Sequence, residues 1–323
     1  MKKKMAWLLT AGMVLGLTAC AAPAAQPAPA AEAPAEEAVE EEAPAEEAAA
    51  EEAAEEKAPA EEEAPAEEAA AEETDIQVFI AASLNTVMTE VAEKFNETHP
   101  EIKIVYNADS SGKLLTQIEE GYECDVFFSA AQKQMNTLEK DDGLVVEGTR
   151  HNVVNNQVVV VTLKDSGTEV TGLEDIGKAE SIALADGSVP VGRYTRTALM
   201  NLGILPEVED ASAYTTEEVS GALGGVEISE QSNVSKVLAA VVEGSCEVGT
   251  TYYSDTYGFD DKLDILETVP YDLTGNVIYP IAQVVNEEAS EAQTAAAKLF
   301  IDYVVSDEAK AIFDSYYFDT DVE

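Results

Sequence analysis

Four short runs deliver a strand or loop into the first turn of a helix: Ser83-Leu84, Ser110-Ser111, Val189-Pro190 and Asn233-Val234. Each is a place where an anion could be held without a formal positive charge. The first turn of a helix carries backbone N–H groups with no intrahelical partner, and the positive end of the helix dipole lies there. Serine hydroxyls at such positions add donors of their own. Serine is also a preferred N-cap, so capping is the plainer role for each serine taken singly. Several such termini converging on one point would instead form an oxyanion pocket. In open α/β sheets such crevices lie beyond the carboxyl ends of the strands, where these runs fall.

The elements that must position them alternate from residue 75 onward. Ile76–Ile80 reads as a strand, and Val87, Met88, Val91, Ala92 and Phe95 then recur at helical spacing. Ile102–Tyr106 is the next strand, and Asp109-Ser110-Ser111-Gly112 opens a helix that Gly121 closes at its C′ position. Asp125–Ser129 reads as a buried strand, followed by a helix near Gln132–Lys140 that stops at Asp142-Gly143. Gln157–Thr162 and Ser181–Leu184 are further strands, and Pro190 sits where a first helical position belongs, ahead of Tyr194–Leu202. A helix over Val234–Val242, strands over Val248–Tyr252 and Ile278–Val285, and a last helix over Ala289–Val305 complete the pattern. The alternation predicts an α/β fold with largely parallel sheets, in two lobes with a cleft between them.

Composition closes off other chemistries. The chain has 323 residues and a formal charge of −46, so phosphate backbones would repel it and nucleic-acid binding is excluded. Two histidines, His99 and His151, leave little scope for a metal site or a catalytic relay. Asn107–Leu114 fails as a P-loop, because Asn107 replaces its first glycine and Leu114 the hydroxyl that would bind magnesium. No Gly-x-Ser-x-Gly elbow is present. Cys124 and Cys246 stand alone, each just before a buried strand and in different lobes, and read as free thiols. The acid-rich run 255–264 lacks EF-hand spacing and reads as solvated surface.

The first 74 residues read as delivery and tether. Lys2–Lys4 precede the apolar run Met5–Leu17, which is short for a membrane span but suits a signal-peptide core. It ends in Leu17-Thr18-Ala19-Cys20, which resembles the bacterial lipobox, so residues 1–20 are expected to be a lipoprotein signal with Cys20 as the lipidated residue. Residues 21–74 hold 24 Ala, 19 Glu and 7 Pro, with too little apolar surface to offset the entropy of ordering. They read as a solvated spacer with an r.m.s. span of about 40 Å. The body beyond holds 45 acidic and 14 basic residues, a charge of −31.

Several blocks together carry a family resemblance. Ala81-Ala82-Ser83-Leu84 and Asp109-Ser110-Ser111-Gly112, leading to Leu114-x-x-Gln117-Ile118-Glu119-x-Gly121, resemble the periplasmic molybdate-binding proteins of ABC uptake systems. So do Asp125–Ala130 with Gln132-Lys133, Val189-Pro190-Val191-Gly192-Arg193-Tyr194, Asn233-Val234 with Tyr252 after it, and Tyr279-Pro280-Ile281-Ala282. The likeness covers nearly all of 75–323.

The resemblance implies a type II periplasmic-binding-protein fold, with 75–156 and 277–323 forming lobe 1 and 157–276 forming lobe 2. It implies no enzyme activity and no cofactor. Molybdate or tungstate would be the ligand, held by neutral donors: hydroxyl and N–H from Ser83 and Ser111, backbone N–H from Val191 and Val234, and the Tyr252 phenol. The partners would be a membrane ABC permease with its cytoplasmic ATPase, and the membrane itself through lipid on Cys20, at the extracytoplasmic face. The protein is expected to be a monomer. Sulfate or phosphate is the alternative ligand, and an enzyme on the same two-lobe scaffold a remoter one.

Three departures from the family pattern bear on this. Val191 replaces the usual alanine. Asp109 either caps its turn or offers an acceptor that hydrogen phosphate could use. The connection 203–233 is longer than usual and contains Glu217–Leu223, a second run resembling the Val234 segment; spacing to Tyr252 favours Val234.

Overall fold

In the computed structural model, residues 73–322 are described; Cys20, the signal segment and nearly all of the tether lie outside them. The first strand, β1 (Thr74–Ala81), takes in Thr74, which the sequence placed in the tether, and pairs it with Ile102. After a 3-10 turn, Ala82–Leu84, come α1 (Asn85–Asn96), β2 (Ile102–Asp109), α2 (Ser111–Glu119) and β3 (Val126–Phe128). Then follow α3 (Gln132–Asn136), which runs into a π-helical turn at Thr137–Asp141, and β4 (His151–Asn156). A second group holds β5 (Val158–Leu163), β6 (Ser181–Ala185), α4 (Pro190–Asn201), α5 (Thr216–Ala222) and β7 (Glu227–Gln231). It continues through α6 (Val234–Val242), β8 (Val248–Tyr252), β9 (Leu263–Thr268) and α7 (Tyr271–Thr274). Last come β10 (Val277–Gln283), α8 (Glu291–Val304) and α9 (Asp307–Ser315).

The strands form two five-stranded sheets, ordered β2-β1-β3-β10-β4 and β7-β6-β8-β5-β9. Their patterns match. In the first, β10 runs antiparallel to both neighbours; in the second, β5 does. The remaining pairings are parallel, so the sheets are mixed where the sequence suggested largely parallel ones. The reversed strands are those entering from the other sheet, β5 directly after β4 and β10 after α7. A chain that crosses between sheets must return against the grain of the crossover-connected strands.

Apolar runs rather than alternation mark β1 and β3 because both faces are covered. On one face Phe79 and Phe127 cluster with Leu114, Ile118 and Met135 of α2 and α3. On the other, Val78, Ile80, Val126 and Phe128 join Phe95, Phe300 and Phe313 of α1, α8 and α9. Cys124 and Cys246 are free and buried, as expected.

The long connection 203–233 is folded. It supplies α5, closed by a capping box between Thr215 and Glu218, and the edge strand β7, parallel to β6. Arg196, fully buried in α4, anchors it: its guanidinium donates to the carbonyls of Ala185 (2.7 Å), Gly192 (3.0 Å) and Tyr214 (3.1 Å) and to Thr216 Oγ1 (3.3 Å). The second Val234-like run is α5 itself, whose Val219 is buried in the core. Removing a buried donor strands the carbonyls it served, so Arg196→Leu should cost about 3 kcal/mol in a urea titration. A loss below about 1 kcal/mol would show that the segment is held by other contacts.

Candidate functional site

Four helix starts meet at one small cavity between the sheets. It is lined by Ala81, Ala82, Ser83, Ser110, Ser111, Ala130, Val189, Pro190, Val191, Val234 and Tyr252, and its empty volume is about 190 Å³. That figure takes in space open to solvent, so the enclosed room is smaller still, and sugars, peptides and most organic acids are too large for it. All five sequence-derived site residues, Ser83, Ser111, Val191, Val234 and Tyr252, line it. No lining residue carries a charge.

The local geometry leaves donors uncommitted at each helix start. The 3-10 turn and α4 begin without any side-chain cap: Ala81 and Val189 stand at their N-cap positions. Pro190 has no N–H, so Val191 carries the first free amide of α4. In α2 the cap is Ser110, which accepts from the N–H of Lys113, and in α6 it is Asn233, which accepts from the N–H of Lys236. Each cap serves the third helical residue, so the amides of Ser111 and Val234 at the first position keep no intrahelical partner.

Capping, the plainer role for the serines, holds only for Ser110. Ser111 Oγ accepts from the N–H of Ala130 at 2.9 Å, and Ser83 Oγ lies 2.9 Å from the Tyr279 hydroxyl. Tyr252 is buried, its ring edge-on to Tyr279 at 5.9 Å, and its hydroxyl has no hydrogen-bond partner. Burial pushes its phenol well above the usual tyrosine range, so it stays a neutral donor.

Both sheets contribute to the rim. Ala82 O accepts from Ser235 Oγ at 3.4 Å, and Asp109 Oδ1 accepts from Asn233 Nδ2 at 3.2 Å. Lys133 pairs with Asp210 and donates to Ser212 Oγ at 3.0 Å. At Gly112 the approach is closest: a Cβ there would stand 2.7 Å from the backbone oxygen of Ser188. Asp109 also accepts from the N–H of Ser110 at 2.7 Å and pairs with Lys113. It caps its turn and ties the rim, and it does not line the cavity. The acceptor that hydrogen phosphate would use is therefore absent from the lining.

The sequence missed three residues around the site. Asn156 and Tyr279 stand behind Ser83. Asp255 Oδ2 accepts from Thr251 Oγ1 at 2.7 Å and from the N–H of Tyr252 at 3.0 Å, fixing the backbone that presents the phenol. The capping spacing of Asp255 after Tyr252 was a local signal for this; the other two act through distant contacts.

The family described as bacterial extracellular solute-binding protein matches residues 76–319. The chain is 32% identical over 253 residues to the molybdate-binding protein ModA of Escherichia coli, covering 75% of this chain and 88% of that protein. It is 29% identical over 244 residues to a putative ABC transporter substrate-binding lipoprotein, YvgL, of Bacillus subtilis, covering 75% and 85%. Among solved structures, the substrate-binding domain of a putative molybdenum ABC transporter from Clostridium difficile superposes with a TM-score of 0.56 at 29% identity, covering 77% of this chain and all of that one.

Burial pushes the Asp255 carboxyl up to about 6, against the hydrogen bonds from Thr251 and Tyr252 that favour its charged form. A raised carboxyl pKa stabilises the fold fully below the unfolded value near 4 and loses that contribution as pH rises through about 6. Asn supplies the same acceptor oxygen without the charge. Melts across pH 4–7 should therefore show Asp255→Asn gaining on the parent with rising pH, by on the order of 2 kcal/mol. A constant difference between the two would contradict the raised Asp255 carboxyl.

Proposed function

The chain belongs to the family of bacterial extracellular solute-binding proteins, and from that premise we propose that it captures molybdate in the cavity between its lobes and delivers it to an ABC permease. Proteins of this family work outside the cytoplasm, and their partners are a membrane permease and its ATPase. Ser83, Ser111, Val191, Val234 and Tyr252 are the ligand-binding residues in this reading. Tungstate, with nearly the same shape and charge, is bound alike. Lipid on Cys20 holds the protein to the outer face of the membrane, with residues 21–74 as the spacer, and the protein acts as a monomer.

The observation that carries the reading is the buried Tyr252 hydroxyl, unpartnered beside four helix starts in a cavity without a charged lining residue. A buried hydroxyl without a partner is costly, and such groups call for a reason. A tetrahedral dianion supplies one: it accepts from every donor here and asks for no acceptor. Neutral donors also suit release, since no buried counter-charge must be separated from the ligand. The contacts of Asp109 with Asn233 and of Lys133 with Asp210 join the lobes beside the cavity. They make closure the state that a partner recognises.

Calorimetry with molybdate, tungstate, sulfate and phosphate tests this. Molybdate and tungstate should bind and phosphate only far more weakly; binding of sulfate in preference to molybdate, or of none of the four, would overturn the assignment. Tyr252→Phe should weaken molybdate binding about tenfold, one hydrogen bond to a charged ligand being lost. Because the hydroxyl has no partner in the protein itself, the ligand-free melting temperature should not fall. Unchanged affinity would remove Tyr252 from the site.

A further inference from the structure

We propose that Asn156 and Tyr279 are positioning residues that lock the Ser83 hydroxyl as a donor into the cavity, so that the site favours oxyanions bare of protons over those carrying one. This rests on the oxyanion reading above and says which residues enforce its selectivity.

The chain of hydrogen bonds starts at the Asn156 amide, at the end of β4 where the backbone crosses to the second sheet. Asn156 Oδ1 accepts from the backbone N–H of Gln157 at 2.9 Å and of Ser254 at 3.4 Å. A backbone N–H only donates, so these two contacts fix which end of the amide is oxygen. The NH₂ end therefore faces the other way, 2.8 Å from Ser254 Oγ and 3.2 Å from the Tyr279 hydroxyl. An amide NH₂ also only donates, and it occupies a lone pair of Tyr279. The Tyr279 oxygen is 2.9 Å from Ser83 Oγ, and Tyr279 is fully buried. Burial holds its phenol well above the usual range, so the hydrogen stays on. With Asn156 already donating to it, Tyr279 passes its own hydrogen to Ser83.

Ser83 must then turn its hydrogen elsewhere, and it lines the cavity. The reverse arrangement, with Ser83 donating to Tyr279, would give that hydroxyl two donors and leave its buried hydrogen only the neighbouring Tyr252 oxygen, with which it forms no hydrogen bond of normal geometry. Ser111 is biased the same way by a single step, since the Ala130 N–H takes one of the two lone pairs of its oxygen. Ser83 and Ser111 are thus biased to donate, and the third lining serine, Ser110, already accepts from the N–H of Lys113. An anion that carries its own O–H, such as hydrogen phosphate, needs an acceptor that this arrangement withholds.

The strand geometry fits the task. Along β10 the register against β4 shifts between Tyr279 and Pro280, which face Val154 and Asn152. A proline inside a central strand is tolerated at such a bulge, and bulges re-aim side chains beside sites. The Tyr279-Pro280 pair, prominent in the sequence, has no place among the direct anion contacts; orienting Ser83 gives it one.

The test measures equilibrium binding of molybdate and of inorganic phosphate at pH 7.5 to the full chain and to two variants. Tyr279→Phe frees Ser83 to accept, so the ratio of molybdate to phosphate affinity should fall at least about tenfold. Asn156→Asp keeps the shape and puts an acceptor oxygen where the NH₂ was, reversing the relay. Molybdate affinity should then fall at least about a hundredfold, repulsion by the added charge included. It also serves as the second variant should Tyr279→Phe not fold. A Tyr279→Phe protein that keeps the parental ratio, or an Asn156→Asp protein that keeps parental molybdate affinity, overturns the relay. Failure of the parent to bind any tetrahedral oxyanion would instead sink the oxyanion reading, and this one with it.

Discussion

A chain carrying a formal charge of −46 can hold a dianion only where short-range dipoles outweigh the field of the whole molecule. Screening makes this feasible, because distant surface carboxylates are damped over about 8–10 Å in physiological salt while donors in contact with a buried ligand are not. The rest of the architecture serves that one requirement. Helix starts concentrate unpaired N–H groups, so the fold brings four of them to one point and keeps every charged side chain off the lining. Two carboxylates that tie the lobes together are committed elsewhere, Asp109 to its own turn and to Asn233, and Asp210 to Lys133.

The matching sheets explain how the convergence is built. Each has one reversed strand, and that strand enters from the other lobe. The parallel strands in each therefore end toward the shared cleft, where their following helices begin. Crossing twice between lobes also places Asn156 and Val277 side by side, paired at the ends of β4 and β10. The Asn155 side chain accepts from the N–H of Val277 at 2.8 Å, while Asn156 bonds Ser254 on one side and Tyr279 on the other. The crossover that joins the lobes is thereby linked by hydrogen bonds through Tyr279 to a cavity serine.

Much of this was legible in the chain because it lies at element boundaries. Ser83, Ser111, Val191 and Val234 stand beside turn residues and N-caps, where local sequence reports local geometry, and the structure gathers them with Tyr252 around one cavity. The elements missed were those whose patterns are weak. β4 has Asn at three of its six positions and β7 reads Glu-Ile-Ser-Glu-Gln, neither with the β-branched run that marks a strand. α9, nine residues behind a Ser306 cap, lies beyond the last helix read, Ala289–Val305. Asn156, Tyr279 and Arg196 were invisible as functional or anchoring groups because their partners are far along the chain. Ser83 meets Tyr279 across 196 residues, and no local period encodes such a contact.

If neutral dipoles from both lobes enclose a bare tetrahedral anion, a crystal soaked in tungstate shows it most directly. Tungsten scatters anomalously, so its position needs no interpretation. One strong peak is expected in the cavity, with the oxygens around it within hydrogen-bond distance of Ser83, Ser111, Val191, Val234 and Tyr252 and of no lysine or arginine. A peak held by cationic side chains elsewhere, with the cavity bare, would contradict it.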